Sequence, residues 1–144
     1  MPTPISKILI IENELPIVHA LELKLNRSGF STQIALNGEE ALKCLDHDKY
    51  DLILLDLIMP KMDGFSFLTE LRKKNTTSEV IILSNLSQEE DVKRAKDLGA
   101  KNYFVKSDTP IVKIVDYIKK TLGVKPTPTP EPAASPASIK KLKF

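Results

Sequence analysis

The stretch Asp51-Leu52-Ile53-Leu54-Leu55-Asp56-Leu57-Ile58-Met59-Pro60-Lys61-Met62-Asp63-Gly64 lies near the middle of the chain and sets its architecture. Leu52–Leu55 is continuously apolar, as a strand buried on both faces should be. Two further runs have the same character, Ile8–Ile11 and Val80–Leu83. Ser31–Ala35 alternates apolar with polar and reads as an edge strand, and Tyr103–Val105 is the fifth run. Segments with helical spacing lie between and after these runs. The alternation therefore predicts an α/β fold, a five-stranded parallel sheet doubly wound with helices on both faces.

The helical segments carry their own punctuation. Pro16 suits a first turn, Val18, Leu21 and Leu25 form one stripe, and Gly29 ends it. Asn37-Gly38-Glu39-Glu40 opens a second helix through Ala41, Leu42 and Leu45, and Phe65, Leu68 and Leu71 line a third. Ser87-Gln88-Glu89-Glu90 reads as a capping box before a fourth, with Gly99 as its stop. Thr109-Pro110 reads as cap and first turn of a fifth, with Ile111, Ile114, Val115, Ile118 and Leu122 as its stripe.

The 144 residues suit one domain with a modest extension. Hydrophobic residues at 42% and charged residues at 28% are ordinary for a soluble globular chain. No apolar run approaches the ~20 residues needed to cross a bilayer. Met1–Ile5 lacks the apolar core of a secretory signal, and a lone Cys44 fits a reducing cytoplasm better than a disulfide framework. The net charge of +2 is unevenly spread. Residues 1–122 carry 17 basic against 18 acidic side chains, so the body is not a basic nucleic-acid binder. The excess sits in Lys125, Lys140, Lys141 and Lys143, against Glu131 alone.

These counts divide the chain into a body over 1–122, a Pro/Thr/Ala-rich linker over 123–138 and a basic-apolar tip over 139–144. The linker is expected to be extended and disordered. Two readings stand for the tip, a solvated end or a tether docking on a partner or an anionic surface. About 20 residues after Leu122 are too few for a DNA-binding domain.

In an open parallel sheet, ligands bind beyond the carboxyl ends of the strands. Glu12 and Asn13 follow the first run, Asp56 the third, Ser84 closes the fourth and Lys106 the fifth. Two carboxylates, an amide, a hydroxyl and an ammonium therefore converge on one rim. Oxygen ligands of this kind suit Mg²⁺, and a lysine with a hydroxyl suits the oxygens of a phosphoryl group. Taken singly, each residue has a plainer role: Asp56 a cap, Lys106 a solvated lysine, Ser84 a helix-lead hydroxyl and Tyr103 a core-edge aromatic. Met59 and Met62 read as packing residues. His19 and His47 lack metal-ligand spacing and read as exposed helix positions.

Ile8–Glu14, Asp51–Gly64, Ile81–Asn85 and Gly99–Lys106 resemble the bacterial response-regulator receiver domains of two-component systems. The resemblance spans residues 7–122 and implies a flavodoxin-like fold with strand order 2-1-3-4-5 and five helices. It implies a cytoplasmic phosphorelay module in which Asp56 takes a phosphoryl group from a sensor histidine kinase or phosphotransfer protein. On this pattern Glu12, Asn13, Asp56 and the main-chain carbonyl of Ile58 hold Mg²⁺, and Lys106 pairs with the phosphoryl oxygens. Ser84 and Tyr103 match the switch pair, and the output surface is the fourth helix, fifth strand and fifth helix, facing a protein target. Such a domain is a phosphoacceptor rather than a turnover enzyme.

Three departures from the family pattern qualify these expectations. Asn13 stands where a second acid is usual, which predicts weaker Mg²⁺ binding. Ser107 follows Lys106 where a cis-proline is typical; a cis bond without proline costs about 2.5–4 kcal/mol, so a trans bond or a strained loop is expected. Ile58 and Leu86 are apolar where hydrolytic water must approach, which predicts slow autodephosphorylation. The competing reading is a pseudo-receiver, a phosphorylation-independent interaction module, which Asn13 favours and Asp56, Ser84 and Lys106 oppose. A small-ligand enzyme is disfavoured, because no glycine-rich phosphate loop follows the first strand.

Overall fold

The apolar runs become the centre of the sheet because each is buried on both sides. A computed structural model describes residues 5–123, with β1 Lys7–Ile11, α1 Leu15–Arg27, β2 Ser31–Ala35, α2 Gly38–His47, β3 Leu52–Leu55 and α3 Gly64–Lys73. β4 Glu79–Ser84, α4 Glu89–Asp97, β5 Asn102–Val105, a 3₁₀ turn over Lys106–Asp108 and α5 Ile111–Leu122 complete it. The strands lie in the order β2-β1-β3-β4-β5, all parallel, with five helices, as the patterning and the resemblance lead one to expect. The alternating strand Ser31–Ala35 is an edge. The expected linker and tip lie, from residue 124 onward, outside the described residues.

Side chains of each central strand divide between two cores, as the two-residue strand period requires. Leu9, Ile11, Ile53, Leu55 and Ile82 face one way, against Ala41 of α2, Phe67, Leu68 and Leu71 of α3, and Ala95 of α4. Ile8, Ile10, Leu52, Leu54 and Ile81 face the other way, against Leu21 and Leu25 of α1 and Ile114 and Ile118 of α5. The register aligns the carboxyl ends: Ile11 is level with both Ala35 and Leu55, and Leu55 is level with Ile82. The residue following each of β1 and β3 therefore emerges on the same rim.

Helix ends follow local chemistry, with two departures from expectation. The Asn37 side chain accepts from Glu40 N–H at 2.9 Å, and that of Asp63 from Ser66 N–H at 2.9 Å, so both cap as N-cap residues do. The capping box expected at Ser87 does not form. Gln88 is the N-cap of α4 and makes no side-chain bond. Glu89, Glu90 and Asp91 crowd the first turn, where negative charge already favours the helix dipole. Nor does Thr109 cap α5, for its hydroxyl donates to the Val105 carbonyl at 2.8 Å and Pro110 takes the N-cap position.

Gly64 explains one element of the central motif. Its N–H donates to the Leu57 carbonyl at 3.0 Å, which lays the start of α3 on the backbone just after β3. A Cβ there would lie 2.6 Å from Leu57 Cα and 2.8 Å from the Asp56 carbonyl oxygen. Both are backbone atoms, so a side chain must push the β3–α3 loop away from Asp56. Gly64→Ala is therefore expected to destabilise the domain by roughly 1–3 kcal/mol. Urea unfolding measures this, and an unchanged midpoint would show that the loop has room to give.

Candidate functional site

Four strand ends deliver polar groups to the rim. Glu12 follows β1 and is 2% exposed, Asp56 follows β3 at 3%, and Ser84 ends β4 at 0%. Lys106 follows β5 directly and opens the 3₁₀ turn. Polar side chains are buried this deeply only where they are paired. Lys106 provides the pairing. Its ammonium lies 2.9 Å from Asp56 Oδ2, 2.9 Å from Glu12 Oε1 and 2.7 Å from Glu14 Oε2.

Backbone donors orient the carboxylates. Glu12 Oε2 accepts from the N–H groups of Asn13 at 3.0 Å and Glu14 at 2.9 Å, and Asp56 Oδ1 accepts from Ile58 N–H at 3.1 Å. Glu12 Oε1 is buried and has the Lys106 ammonium, 2.9 Å away, as its counter-ion. Burial pushes the Glu12 carboxyl above its ordinary range, against the opposing pull of Lys106. Burial acts to lower the Lys106 ammonium, but Glu14, Asp56 and Glu12 outweigh it and hold its pKa above the ordinary lysine value. The lysine is therefore a fixed positive charge at any physiological pH.

The two loops beyond β4 and β5 are tied together. Ser84 Oγ accepts from Leu86 N–H at 3.3 Å, while the Tyr103 hydroxyl donates to the Leu86 carbonyl. Ser107 N–H donates to Asn85 Oδ1 at 2.9 Å. Burial, followed by the nearby Asp91 carboxylate, raises the Tyr103 hydroxyl pKa. No peptide bond among the described residues is cis, so Lys106–Ser107 is trans. Ile58 presents its side chain to solvent at 53% exposure, and Leu86 is half-buried against the core on the α3 face.

Glu12, Asp56, Ser84 and Lys106 are thus gathered at one place, with Ile58, Leu86 and Tyr103 around them. Asn13 is exposed, and among the described residues its side chain makes no hydrogen bond. Glu14 was not among the residues singled out from sequence, yet its carboxylate joins the cluster: Glu12, Glu14 and Asp56 offer oxygens within 4.8 Å of one another. A signal for it existed. Glu14 stands just before Leu15 and Pro16, at the N-cap of α1, where its side chain makes no capping bond and is left to turn inward. Met59 and Met62 pack against the core, and His19 and His47 are exposed helix residues.

Comparison with known proteins places this geometry. A family model described as the response regulator receiver domain matches residues 8–121. The alkaline phosphatase synthesis transcriptional regulatory protein PhoP of Bacillus subtilis is 38% identical over 104 residues, covering 72% of this chain and 43% of that protein. The transcriptional regulatory protein DltR of Streptococcus agalactiae is 34% identical over 100 residues, covering 69% of this chain and 45% of its own length. The chain thus spans less than half the length of these relatives. Among solved structures, the receiver domain of Francisella response regulator 1452 is 32% identical with a TM-score of 0.72, covering 81% of this chain and 98% of that one. The receiver domain of a Syntrophus aciditrophicus signal transduction histidine kinase is 33% identical with a TM-score of 0.73, covering 86% and 96%.

The electrostatic arrangement makes a direct prediction. Lys106→Met leaves three carboxylates facing one another with no ammonium between them. Removing one partner of a fully buried pair costs roughly 3–5 kcal/mol. Glu14 is 53% exposed, which screens part of the repulsion, so a loss on the order of 2 kcal/mol is expected. Urea melts of metal-free wild type and variant read the difference, and equal midpoints would show that the carboxylates do not depend on Lys106.

Proposed function

Because the chain belongs to the response-regulator receiver family, we propose that Asp56 accepts a phosphoryl group from a phosphohistidine of a sensor histidine kinase or phosphotransfer protein. The observation that carries this reading is the buried Asp56 carboxylate, 2.9 Å from the Lys106 ammonium, on a rim shared with Glu12 and Ser84. A carboxylate oxygen of Asp56 attacks phosphorus, and a P–O bond forms as the P–N bond breaks, its electron pair returning to the imidazole nitrogen. Ile58 N–H holds Oδ1 and Lys106 holds Oδ2, so the carboxylate is presented in a fixed plane. As charge moves onto the phosphoryl oxygens, the ammonium of Lys106 is in place to pair with them.

The donor set fits Mg²⁺. Glu12, Glu14 and Asp56 offer carboxylate oxygens within 4.8 Å of one another, hard ligands suited to a small divalent cation. Glu12, Asp56 and the main-chain carbonyl of Ile58 would hold it, with the amide of Asn13 as a further ligand on the family pattern. When bound, the ion offsets the crowded negative charge of carboxylates and phosphoryl group together.

Ser84 carries the signal outward in this reading. Its hydroxyl now accepts from Leu86 N–H, and turning its proton to a phosphoryl oxygen loosens the loop that Tyr103 holds through the Leu86 carbonyl. Tyr103 lies on β5, so the change reaches the α4, β5 and α5 face and a protein target there. The lone Cys44 and the absence, among the described residues, of any helix long and apolar enough to cross a membrane agree with a cytoplasmic setting. The phosphorylated state is long-lived, because the Ile58 and Leu86 side chains offer no polar atom to the attacking water.

Labelling with a small phosphodonor such as acetyl phosphate, with Mg²⁺, tests the acceptor and its lifetime together. Wild type should take up label and lose it slowly, Asp56→Asn should take up none, and Ile58→Asn with Leu86→Glu should lose it several-fold faster. Label on Asp56→Asn would move the acceptor elsewhere. An unlabelled wild type would favour the pseudo-receiver, for which the neutral amide of Asn13 is the specific support.

A further inference from the structure

The domain body is nearly neutral, yet uncompensated positive charge gathers on one side of it. α1 and α5 pack on the same core, and between them runs a cleft of about 200 Å³ lined by Lys24 and Arg27 of α1 and Lys119 of α5. Elsewhere on the surface Lys7, Lys73, Lys74, Lys93 and Lys101 each pair with a carboxylate. Among the described residues, Lys24, Arg27 and Lys119 pair with none, and Asp116 is the one carboxylate lining the cleft. Val112, 53% exposed, gives it an apolar wall. Both helices begin beyond the carboxyl ends of β1 and β5, so their last turns lie away from the rim that carries Asp56.

The chain leaves α5 at Gly123, about one turn beyond Lys119, and the rest of its positive excess follows. Lys140, Lys141 and Lys143 are interleaved there with Ile139, Leu142 and Phe144, and the intervening residues 124–138 can span up to ~50 Å. We propose that the α1–α5 cleft and the segment 139–144 together dock this chain on a bilayer of anionic phospholipid. Two observations of different kinds converge on that partner, unpaired cations on the body and a basic-apolar pattern in the sequence beyond it. Cations so far apart along the chain need negative groups spread over an area, and anionic headgroups supply them. Ile139, Leu142 and Phe144 have acyl chains to enter, which a nucleic acid does not offer. With 17 basic against 18 acidic side chains, residues 1–122 do not suit a nucleic acid either. Docking at this end leaves Asp56 open to a phosphodonor.

The inference stands apart from phosphoryl transfer, and co-sedimentation of the full chain with phosphatidylglycerol or phosphatidylcholine vesicles tests it. The chain should bind phosphatidylglycerol at about 0.1 M salt, leave phosphatidylcholine unbound, and lose most of its binding at about 0.5 M salt. Each basic residue near an anionic leaflet strengthens binding on the order of fivefold. Lys24→Gln with Arg27→Gln and Lys119→Gln should therefore weaken it at least about tenfold, as should Lys140→Gln with Lys141→Gln and Lys143→Gln. The cleft positions lie on helix surfaces, where Gln is a good helix former, so the fold is kept. An equal loss of charge on α2, α3 and α4, by Lys43→Gln with Lys73→Gln and Lys96→Gln, should change binding less than about twofold. No binding to phosphatidylglycerol, or equal binding to both lipids, would overturn the proposal. So would a cleft variant that binds as wild type, or a control variant that loses as much as the cleft variant. Binding to a DNA duplex as tightly as to the vesicles would make the surface a general polyanion binder and overturn it too.

Discussion

Three carboxylates cannot share one rim without a positive charge among them, and in this chain that charge is the Lys106 ammonium. The constraint reaches well beyond the four residues. Glu12, Asp56 and Lys106 come from the ends of β1, β3 and β5, so their contact requires the sheet to be assembled in order and in register. A slip of one residue in β3 would turn Leu52–Leu55 to the opposite faces and carry Asp56 away from Lys106. Because those strands are buried on both sides, such a slip would also disturb both cores. Packing energy therefore holds a crowded electrostatic site in place, and the site's tension is borne by the sheet rather than by flexible loops.

The same arrangement links chemistry to signalling. Ser84 ends β4 and Tyr103 lies on β5, and the Leu86 backbone bonds to both. The loop after β4 consequently has one set of bonds in the structure described and, on the proposed mechanism, a second set once Ser84 turns toward a phosphoryl group. A two-position element of this kind is what allows a small local change to be read on an outer face. Gly64 serves the other side of the site, since its missing side chain lets α3 begin directly on the backbone that follows Asp56.

Much of this was legible in the sequence, for identifiable reasons. Continuous apolar runs are an unambiguous mark of strands covered on both faces, and Leu52–Leu55 showed it most clearly. Strand ends in such a sheet share a rim by topology alone, so Asp56, Ser84 and Lys106 could be placed together before any coordinates. What escaped was decided by side-chain direction. Glu14 had no role assigned from the sequence, and only the turn of its carboxylate toward the rim brings it to Lys106. The Ser87 capping box failed for a related reason: the chain enters α4 one residue later, and three acidic residues in the first turn already meet the need that a cap would serve. Thr109 likewise had a nearer acceptor in the Val105 carbonyl.

The central claim is that the carboxyl ends of the strands form one site for a phosphoryl group and a divalent cation. Beryllofluoride with Mg²⁺ imitates a phosphoryl group on a carboxylate without covalent transfer, so the ¹H–¹⁵N spectrum of the protein reports the site directly. The account predicts that adding both shifts the amides of Glu12 to Glu14, Asp56 to Ile58, Ser84 to Leu86 and Lys106, with Tyr103 following, and that beryllofluoride without Mg²⁺ shifts none of them. An unchanged spectrum, or shifts centred at the opposite end of the sheet around Tyr50 and Thr76, would contradict it.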